Sequence, residues 1–275
     1  MTAAVHELID NQFINNNFFI LHFYWASPPP KAGQFFMMKP LHSGVFLQRP
    51  ISVFEYDKEQ KAIKFLITRR GTGTQELSEL KQGDKVFLTG PLGNAWADFL
   101  PEGGLPGEVS RGKVALVSGS VGIAPLAALV AERPDFHFDL FAGFRYGFCL
   151  KEEENAVLGK CVNAKKIVIT AEDGVNAHSG FVTDFLGEIK SYDAVLGCGP
   201  MQLLCAIAKK CAGNTDTESE TKNVSCFISL ESRFACGVGA CLGCSIKTVN
   251  GNRCCCKHGP IFPAKDIIFD GLNDE

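Results

Sequence analysis

Four cysteines near the end of the chain constrain its fold more than any other feature of the sequence. Cys236, Cys241 and Cys244 lie within the run CGVGACLGC, and Cys256 follows after eleven intervening residues. This C-x4-C-x2-C spacing with a later fourth cysteine is the arrangement that holds plant-type [2Fe–2S] clusters. The segment is therefore predicted to fold as a loop around such a cluster, and the chain to transfer single electrons.

The glycines between these cysteines agree with that interpretation. Thiolates are soft ligands that suit iron, zinc or copper(I), and cluster sulfur is stabilised by backbone N–H groups that point inward. Gly237, Gly239 and Gly243 supply backbone that can pass close to the sulfurs. A zinc site made of four thiolates is the alternative. Such sites usually contain two CxxC pairs, whereas this loop contains one.

The fourth ligand is one of three adjacent cysteines, Cys254, Cys255 and Cys256. Neighbouring residues of an extended segment point to opposite sides, so Cys255 is the weakest substitute for Cys256. The remaining six cysteines are predicted to be small buried hydrophobic residues, and only Cys198 has a context that suggests more. They are Cys149, Cys161, Cys198, Cys205, Cys211 and Cys226.

Composition excludes several classes of protein. The chain has 275 residues and 46% apolar residues, which suits two or three compact units. With 27 basic and 30 acidic residues and no basic run, a nucleic-acid partner is not expected. The N-terminus does not resemble a secretory signal, and the apolar stretch 18–26 is about half of the ~20 residues that a membrane helix needs. We expect a soluble, cytoplasmic protein without membrane contact.

The hydrophobic pattern changes once along the chain. Residues 1–100 contain short apolar runs separated by turn residues, such as FFILHFYW, GVFL, AIKFLIT and KVFLTG, which predict an antiparallel β-barrel. After the Gly- and Pro-rich tract 101–112, residues 108–213 alternate strands with helices and predict a parallel α/β sheet of nucleotide-binding type. The acidic tract GNTDTESETKN then leads to a small cluster domain, 223–275, which must depend on its neighbours for a core.

Two segments of the barrel are candidates for flavin binding. Arg49, Pro50, Ile51 and Ser52 begin one strand, and GTGT at 71–74 precedes the helical run QELSEL. Arginine offers a fork of donors for a pyrophosphate, a helix start offers N–H groups for the same anion, and the Ser52 hydroxyl could hydrogen-bond the flavin ring.

Two turns of the α/β domain are candidates for a nicotinamide dinucleotide. SGSVG at 118–122 follows the strand KVALV and precedes a helix with Pro125 in its first turn. This turn lacks the G-x-G-x-x-G fingerprint, but it places Gly119 and Gly122 between strand and helix. Cys198, Gly199 and Pro200 end another strand at the same carboxyl edge, where ligands of open α/β sheets bind.

Taken together, RPIS, GTGT, SGSVGIAPL, CGPM and ESRFACGVGACLGC followed by CKHGPIF resemble a known family. It comprises the iron–sulfur flavoproteins of the ferredoxin-reductase superfamily that serve as electron-transfer subunits of NAD-dependent (type B) dihydroorotate dehydrogenase. The resemblance covers nearly the whole chain, and the cluster loop with its CKHGP continuation is its most specific part.

The resemblance implies an FAD β-barrel, an NAD-binding α/β domain and a C-terminal [2Fe–2S] domain. It also implies a partner subunit with FMN that oxidises dihydroorotate to orotate in pyrimidine biosynthesis, assembled as a heterotetramer with two copies of each subunit. By motif, Arg49, Pro50, Ile51 and Ser52 hold FAD, and Leu66, Ile67, Thr68, Gly73 and Thr74 line it. Gly119, Gly122, Cys198, Gly199 and Pro200 face NAD, and the family pattern selects Cys256 as the fourth cluster ligand.

Two other functions remain open from the sequence. One is an NAD(P)H-linked reductase subunit of a hydrogenase, sulfur reductase or ferredoxin-oxidising complex, which uses the same reductase domains with a different electron donor. The other is a binding protein without redox activity, whose fold is held together by a structural zinc ion. No acid–base catalyst is assigned, because electron transfer requires none and the six histidines are scattered.

Overall fold

The computed structural model describes residues 1–26, 28–100, 112–145, 157–161, 163–175, 177–213 and 224–270. Cys149 and most of the two tracts predicted to separate the domains lie outside the described residues. Among the described residues, no helix is both long and apolar enough to cross a membrane.

The first sheet is antiparallel and has seven strands in the order β4-β3-β7-β1-β2-β6-β5. Its ends curl towards each other, since β4 also contacts β6. Inside it, the Phe36 ring lies edge-on to Trp25 at 4.7 Å and to Phe65 at 5.3 Å between centroids. The strands are β1 Thr2–Phe13, β2 Phe18–Tyr24, β3 Phe35–Pro40, β4 Arg49–Ser52, β5 Glu55–Asp57, β6 Ala62–Thr68 and β7 Lys85–Leu92, with helix α1 at Thr72–Ser78.

One predicted strand of the barrel is wrong. The run GVFL, at 44–47, lies in the loop between β3 and β4, and the Phe46 side chain is 90% exposed. The strand that precedes this loop is FFMMKP, whose apolar side chains are almost all buried because both faces are covered. The apolar residues of this surface loop led to the wrong prediction of a strand. A short apolar run does not show whether a neighbouring strand is present to pair with it.

The second sheet is parallel apart from one edge strand, and its order is β11-β10-β9-β8-β12-β13-β16. The predicted alternation of strand and helix is confirmed. Its elements are β8 Lys113–Gly119, α2 Ile123–Glu132, β9 His137–Phe144, β10 Lys166–Ala171, β11 His178–Ser179, β12 Ala194–Cys198 and α3 Met201–Ala212. Short 3-10 turns lie at Trp96–Asp98, Ser120–Gly122, Leu158–Cys161, Val182–Phe185, Ile189–Ser191 and Ala264–Asp266.

The C-terminal segment extends this second sheet. Strand β13 (Ser225–Ser229) pairs in parallel with β12, and β16 (Ile261–Pro263) pairs antiparallel with β13. Between them lie the cysteine loop, the hairpin β14 (Ser245–Thr248) and β15 (Gly251–Cys254), and one helical turn at Cys255–His258. The segment thus obtains its core from its neighbours, as its small size requires.

Two hydrophobic cores join the barrel to the rest of the chain. One contains Leu66 of β6 together with Leu126 of α2. The other contains Met37 of β3 together with Ile228 of β13 and Cys256, the predicted fourth ligand. Because apolar surface of both parts is buried in the same cores, the barrel and the C-terminal segment hold each other in place.

Asn94, just after β7, binds the end of the cysteine segment. Its side-chain amide donates to the carbonyl oxygens of Ile261 (2.8 Å) and His258 (3.3 Å), and its amide oxygen accepts from the Ile261 N–H (3.0 Å). Its backbone N–H donates to the Gly259 carbonyl at 2.8 Å. This residue therefore connects the barrel to the chain that follows Cys256.

The variant Asn94→Ala tests this connection. Loss of three side-chain hydrogen bonds should lower the free energy of unfolding by ~2 kcal/mol, because part-buried backbone groups lose their partners. The measurement is urea unfolding, compared with the control Asn252→Ala on the exposed face of β15. Equal stability of the two variants would contradict the assigned role of Asn94.

Candidate functional site

The backbone of the cysteine loop lies directly against the barrel. Gly237 and Gly239 have φ of 71° and 79°, in the left-handed region that glycine adopts without strain. A Cβ atom added at Gly237 would lie 2.5 Å from Cγ of Met37 and 3.1 Å from Cδ1 of Leu92. Only glycine therefore allows the loop to approach strands β3 and β7 this closely.

Backbone N–H groups of the segment point at its sulfur atoms. The Gly239 N–H donates to Sγ of Cys256 (3.1 Å), and the Cys256 N–H donates to Sγ of Cys244 (3.4 Å). The N–H of Cys241 donates to Sγ of Cys236 (3.5 Å), and that of Gly243 to Sγ of Cys241 (3.5 Å). Each of the four predicted ligands thus accepts a backbone hydrogen bond, the environment that stabilises cluster thiolates.

The four thiols are arranged as two pairs. Sγ of Cys244 lies 3.2 Å from Sγ of Cys256, and the thiols of Cys236 and Cys241 are hydrogen-bonded to each other. A mononuclear zinc site needs its ligands around a single centre, whereas a [2Fe–2S] cluster takes two ligands on each of two irons. The residues present fit the binuclear cluster.

Cys236 and Cys256, one from each pair, differ in exposure and in pKa. Desolvation acts to raise the pKa of Cys236, but hydrogen bonds from the N–H groups of Cys241 and Val238 outweigh it and lower the pKa to about 6. Burial, and then the hydrogen bond with Cys244, raise the pKa of Cys256 to about 12. Since the thiolate is the form that binds metal, the more exposed Cys236 ionises more readily than the buried Cys256.

The neighbouring cysteines do not join the group of four thiols. Cys255 is fully buried, and its thiol donates to the Leu230 carbonyl at 3.3 Å. Cys254 is buried in the core that the barrel shares with this segment. Cys255 and Cys256 lie in a helical turn, so the extended geometry expected for them is wrong, because β15 ends at Cys254. The thiol of Cys256 nonetheless lies beside that of Cys244.

The apolar residues around the cysteine loop separate into two groups. Phe234 and Phe262 are buried, and the Phe234 ring lies 5.0 Å from the Phe35 ring of the barrel. Val238 and Leu242 are 41% and 63% exposed and flank the exposed Cys241. The first two therefore hold the loop on the barrel, while the last two form an outward-facing apolar surface next to the thiols.

The two flavin-binding candidates meet at Arg49 and Gly73. A Cβ atom added at Gly73 would lie 2.8 Å from Cζ and 2.9 Å from Nη2 of Arg49. The guanidinium also donates to the Leu47 carbonyl at 2.9 Å, which holds it over the start of α1. Helix α1 begins at Thr72, inside GTGT rather than after it. A guanidinium held next to glycine backbone can bind a pyrophosphate group.

The other predicted flavin residues lie on β4, β6 and the start of α1. Ile51 faces the barrel core, whereas Pro50 and Ser52 are half-buried. Leu66 and Ile67 are buried on opposite faces of β6, and Oγ1 of Thr68 at its end is buried without a hydrogen-bond partner. The Thr74 hydroxyl accepts hydrogen bonds from the N–H groups of Arg70 (2.9 Å) and Gly71 (3.2 Å), so it closes this loop.

A cleft of about 400 Å³ opens beside these residues. Asn16 and Asn17, in the turn between β1 and β2, form one side, and Arg69 and Arg70 form another. The Arg69 guanidinium is fixed by Oε1 of Gln75 at 2.9 Å. Sequence reasoning missed the two asparagines, because a polar turn about fifty residues before the motif carries no signal of its own.

The two turns that are candidates for nicotinamide binding pack against each other at the carboxyl edge of the parallel sheet. Ser118 of β8 pairs with Cys198 of β12, so the turns that follow these strands are neighbours. A Cβ atom added at Gly122 would lie 2.6 Å from the carbonyl carbon of Cys198, and one added at Gly199 would lie 2.8 Å from the Gly119 nitrogen. The predicted glycines are needed because backbone packs against backbone here.

A proline, two serines and a thiol also lie at this edge of the sheet. Gly119 packs under Pro200, which is the N-cap residue of α3. Ser120, in the middle of SGSVG, adopts φ of 53°, in the left-handed region. Oγ of Ser118 is buried without a partner. Burial, and then the nearby charge of Glu231, raise the pKa of Cys198 to about 12, so this thiol keeps its proton at neutral pH.

Comparison with known proteins gives relatives of the same length and fold. The family model "Iron-sulfur cluster binding domain of dihydroorotate dehydrogenase B" matches residues 231–268. The electron transfer subunit of dihydroorotate dehydrogenase B (NAD(+)) from Clostridium acetobutylicum is 37% identical over 89% of this chain and 87% of its own length. The subunit of the same name from Caldanaerobacter subterraneus subsp. tengcongensis is 33% identical over 96% of this chain and 97% of its own.

Solved structures confirm the ferredoxin-reductase fold. An NADH-dependent reduced ferredoxin-NADP oxidoreductase superposes with a TM-score of 0.77 at 22% identity, over 98% of this chain and 91% of the other. A ferredoxin NADP+ reductase from Neisseria gonorrhoeae, with bound FAD and NADP, superposes with a TM-score of 0.65 at 12% identity. The superposition covers 83% of this chain and 98% of the other. With its length, its fold and its cysteine loop in agreement, the chain belongs to the family of electron transfer subunits of dihydroorotate dehydrogenase B (NAD(+)).

Proposed function

We propose that this chain is the electron-transfer half of an NAD-dependent dihydroorotate dehydrogenase of pyrimidine biosynthesis. It holds a [2Fe–2S] cluster, FAD and NAD, and it works with a partner subunit that contains FMN and oxidises dihydroorotate to orotate. The observation that carries this proposal is the arrangement of four thiols as two pairs in a loop that packs on the barrel.

The order of the three sites follows from their chemistry. When bound, the cluster transfers one electron at a time, and FAD collects two of them for the hydride that NAD+ accepts. The chain must therefore place its cluster loop, its barrel and its dinucleotide turns next to one another. Glu231, at the start of the cysteine loop, lies close enough to Cys198 and Arg70 to interact electrostatically with both. This proximity supports the adjacency of the three sites.

We assign the cofactors to residues as follows. The cluster is bound by Cys236, Cys241, Cys244 and Cys256 in the domain 223–275. FAD is bound in 1–100 by Arg49, Pro50, Ile51, Ser52, Leu66, Ile67, Thr68, Gly73 and Thr74. NAD is bound in 108–213 by Gly119, Gly122, Cys198, Gly199 and Pro200. The fixed guanidinium of Arg49, the buried hydroxyls at 68 and 118 and the interlocked glycine turns support this division.

The partner subunit is assigned to the exposed face of the cysteine loop. Val238 and Leu242 are exposed beside Cys241, whereas Cys244 and Cys256 are 2% and 3% exposed on the inner side. The Cys236–Cys241 pair thus faces outward and the Cys244–Cys256 pair faces the barrel core. A donor that docks on the outer side reaches the first pair, and two copies of each subunit complete a heterotetramer. We place the assembly in the cytoplasm, where unbridged thiols persist.

The variant Leu242→Glu tests the proposed function in the assembled complex. A charge buried at the docking surface should lower dihydroorotate-dependent NAD+ reduction about tenfold, a cost of ~1.4 kcal/mol. NADH oxidation by ferricyanide in the isolated chain should not change. Val249→Glu, at an equally exposed position (60%) on the β14–β15 turn, is the control. If the wild-type chain and an FMN-containing dihydroorotate oxidase neither assemble nor form orotate with NAD+, the proposal fails.

The choice of fourth ligand is tested by Cys256→Ala. This variant should lose most of the iron and acid-labile sulfide, because one iron keeps a single thiolate. Cys254→Ala, two residues earlier and equally buried, should keep both. Iron and sulfide are assayed on the purified chains, and the flavin absorbance of each variant serves as a check of folding. Retention of the cluster in Cys256→Ala together with its loss in Cys254→Ala would reverse the assignment.

The flavin site is tested by Gly73→Ala. The added methyl group displaces the Arg49 guanidinium, so the dissociation constant for FAD should rise about tenfold (~1.4 kcal/mol). Gly159→Ala, outside the cleft, is the control, since a Cβ atom at Gly159 also meets no atom within 4 Å. The readout is flavin fluorescence during titration of the flavin-free chain. Equal affinity in the two variants would exclude a role of the Arg49 and Gly73 contact in binding FAD.

A further inference from the structure

Helix α3 packs on the second sheet through one face that contains a cysteine. Leu204 and Ile207 of the helix and Ile228 of β13 meet above Gly197, where an added Cβ atom would lie 3.2, 3.1 and 3.3 Å from their side chains. Cys211 follows Ile207 by four residues and therefore lies on the same helix face. It is half-buried in the last turn of the helix.

Strand β13 presents a second cysteine to the same interface. Cys226 precedes Ile228 by two residues, so their side chains lie on the same face of the sheet. It is half-buried and, like Cys211, packs against the core that contains Ile228. The alternation of the strand and the period of the helix thus bring the two cysteines to opposite sides of one contact.

Helix α3 contacts β13, and the thiols of Cys211 and Cys226 lie close enough for each to shift the pKa of the other. Interaction with the Cys226 thiol lowers the pKa of Cys211, and burial acts in the opposite direction. The same interaction and burial both raise the pKa of Cys226. Lys209 and Lys210 are exposed in the same helical turn as Cys211. Positive charge and partial exposure are the surroundings in which a cysteine reacts as a thiolate.

We propose that Cys211 and Cys226 form a reversible disulfide when the chain meets a low-molecular-weight disulfide. The Cys211 thiolate attacks one sulfur of that disulfide, breaks its S–S bond and expels a thiolate, leaving a mixed disulfide. The Cys226 thiol loses its proton to solvent and attacks the Cys211 sulfur, expelling the second thiolate. Two protein thiols are oxidised and the small disulfide is reduced to two thiols, so electrons and protons balance.

The bond would fix α3 to the strand that leads into the cysteine loop. β13 ends at Ser229, and Leu230 follows directly with its carbonyl accepting from Cys255. A bridge at Cys226 therefore restrains the chain that enters the cluster loop without using any of its four ligands. The site is independent of the function proposed above, since none of the cofactor-binding residues takes part.

The experiment treats the full-length, cofactor-loaded chain with oxidised glutathione and maps its disulfides by peptide mass spectrometry after alkylation. Wild type should give a peptide that links Cys211 to Cys226, with iron content unchanged, and dithiothreitol should reverse it. Cys226→Ser should instead retain glutathione on Cys211. Cys205→Ser, a half-buried cysteine of the same helix but outside this face, should behave as wild type.

A second readout follows the same samples by thermal unfolding. The midpoint should rise by roughly 5 °C on oxidation of wild type and of Cys205→Ser, because a closed loop restricts the unfolded chain. It should not rise in Cys211→Ser. Wild type that shows no Cys211–Cys226 bridge, or bridges only between other cysteines after iron is lost, would overturn the proposal.

Discussion

The cysteine loop cannot build a core of its own, and the rest of the architecture depends on how it obtains one. Gly237 lies against Met37 and Leu92 of the barrel, and the Phe234 ring lies against Phe35. The inner thiols belong to the same core as these barrel residues. Apolar burial shared between loop and barrel thus fixes where the thiols lie relative to the barrel.

Close backbone approach also fixes the carboxyl edge of the parallel sheet. Gly122 packs on the Cys198 carbonyl, and Gly199 packs on Gly119, so two turns from neighbouring strands act as one surface. The side chain of Asn94 connects the barrel to the chain after the helical turn. These contacts hold the cysteine loop on the barrel and the two turns against each other, and the proposed electron transfer requires such fixed positions.

The cysteine loop and the parallel sheet could be predicted because the sequence patterns that specify them are local. The spacing of Cys236, Cys241 and Cys244 specifies a cluster loop, and the alternation of apolar strand, glycine turn and helix specifies the parallel sheet. The turns at 118–122 and 198–200 were expected at the same carboxyl edge of this sheet, and the pairing of Ser118 with Cys198 places them side by side there.

The features that escaped prediction depend on contacts distant in sequence. Phe46 looked like part of a strand, but no strand pairs with it. Asn94 contacts residues that lie 164 and 167 positions later in the chain, and no sequence motif marks it. The helical turn at Cys255–His258 was missed because its start is set by where β15 stops pairing with β14. The packing of Gly73 under Arg49 likewise appears only once the barrel closes.

The central claim is that the paired thiols bind a binuclear iron cluster next to a flavin. Its most direct test is metal and sulfide analysis of the anaerobically purified wild-type chain, combined with electron paramagnetic resonance during reduction by NADH. The account predicts two irons and two acid-labile sulfides per chain and a signal of one unpaired electron on the reduced cluster. A colourless chain with one zinc and no such signal would contradict it.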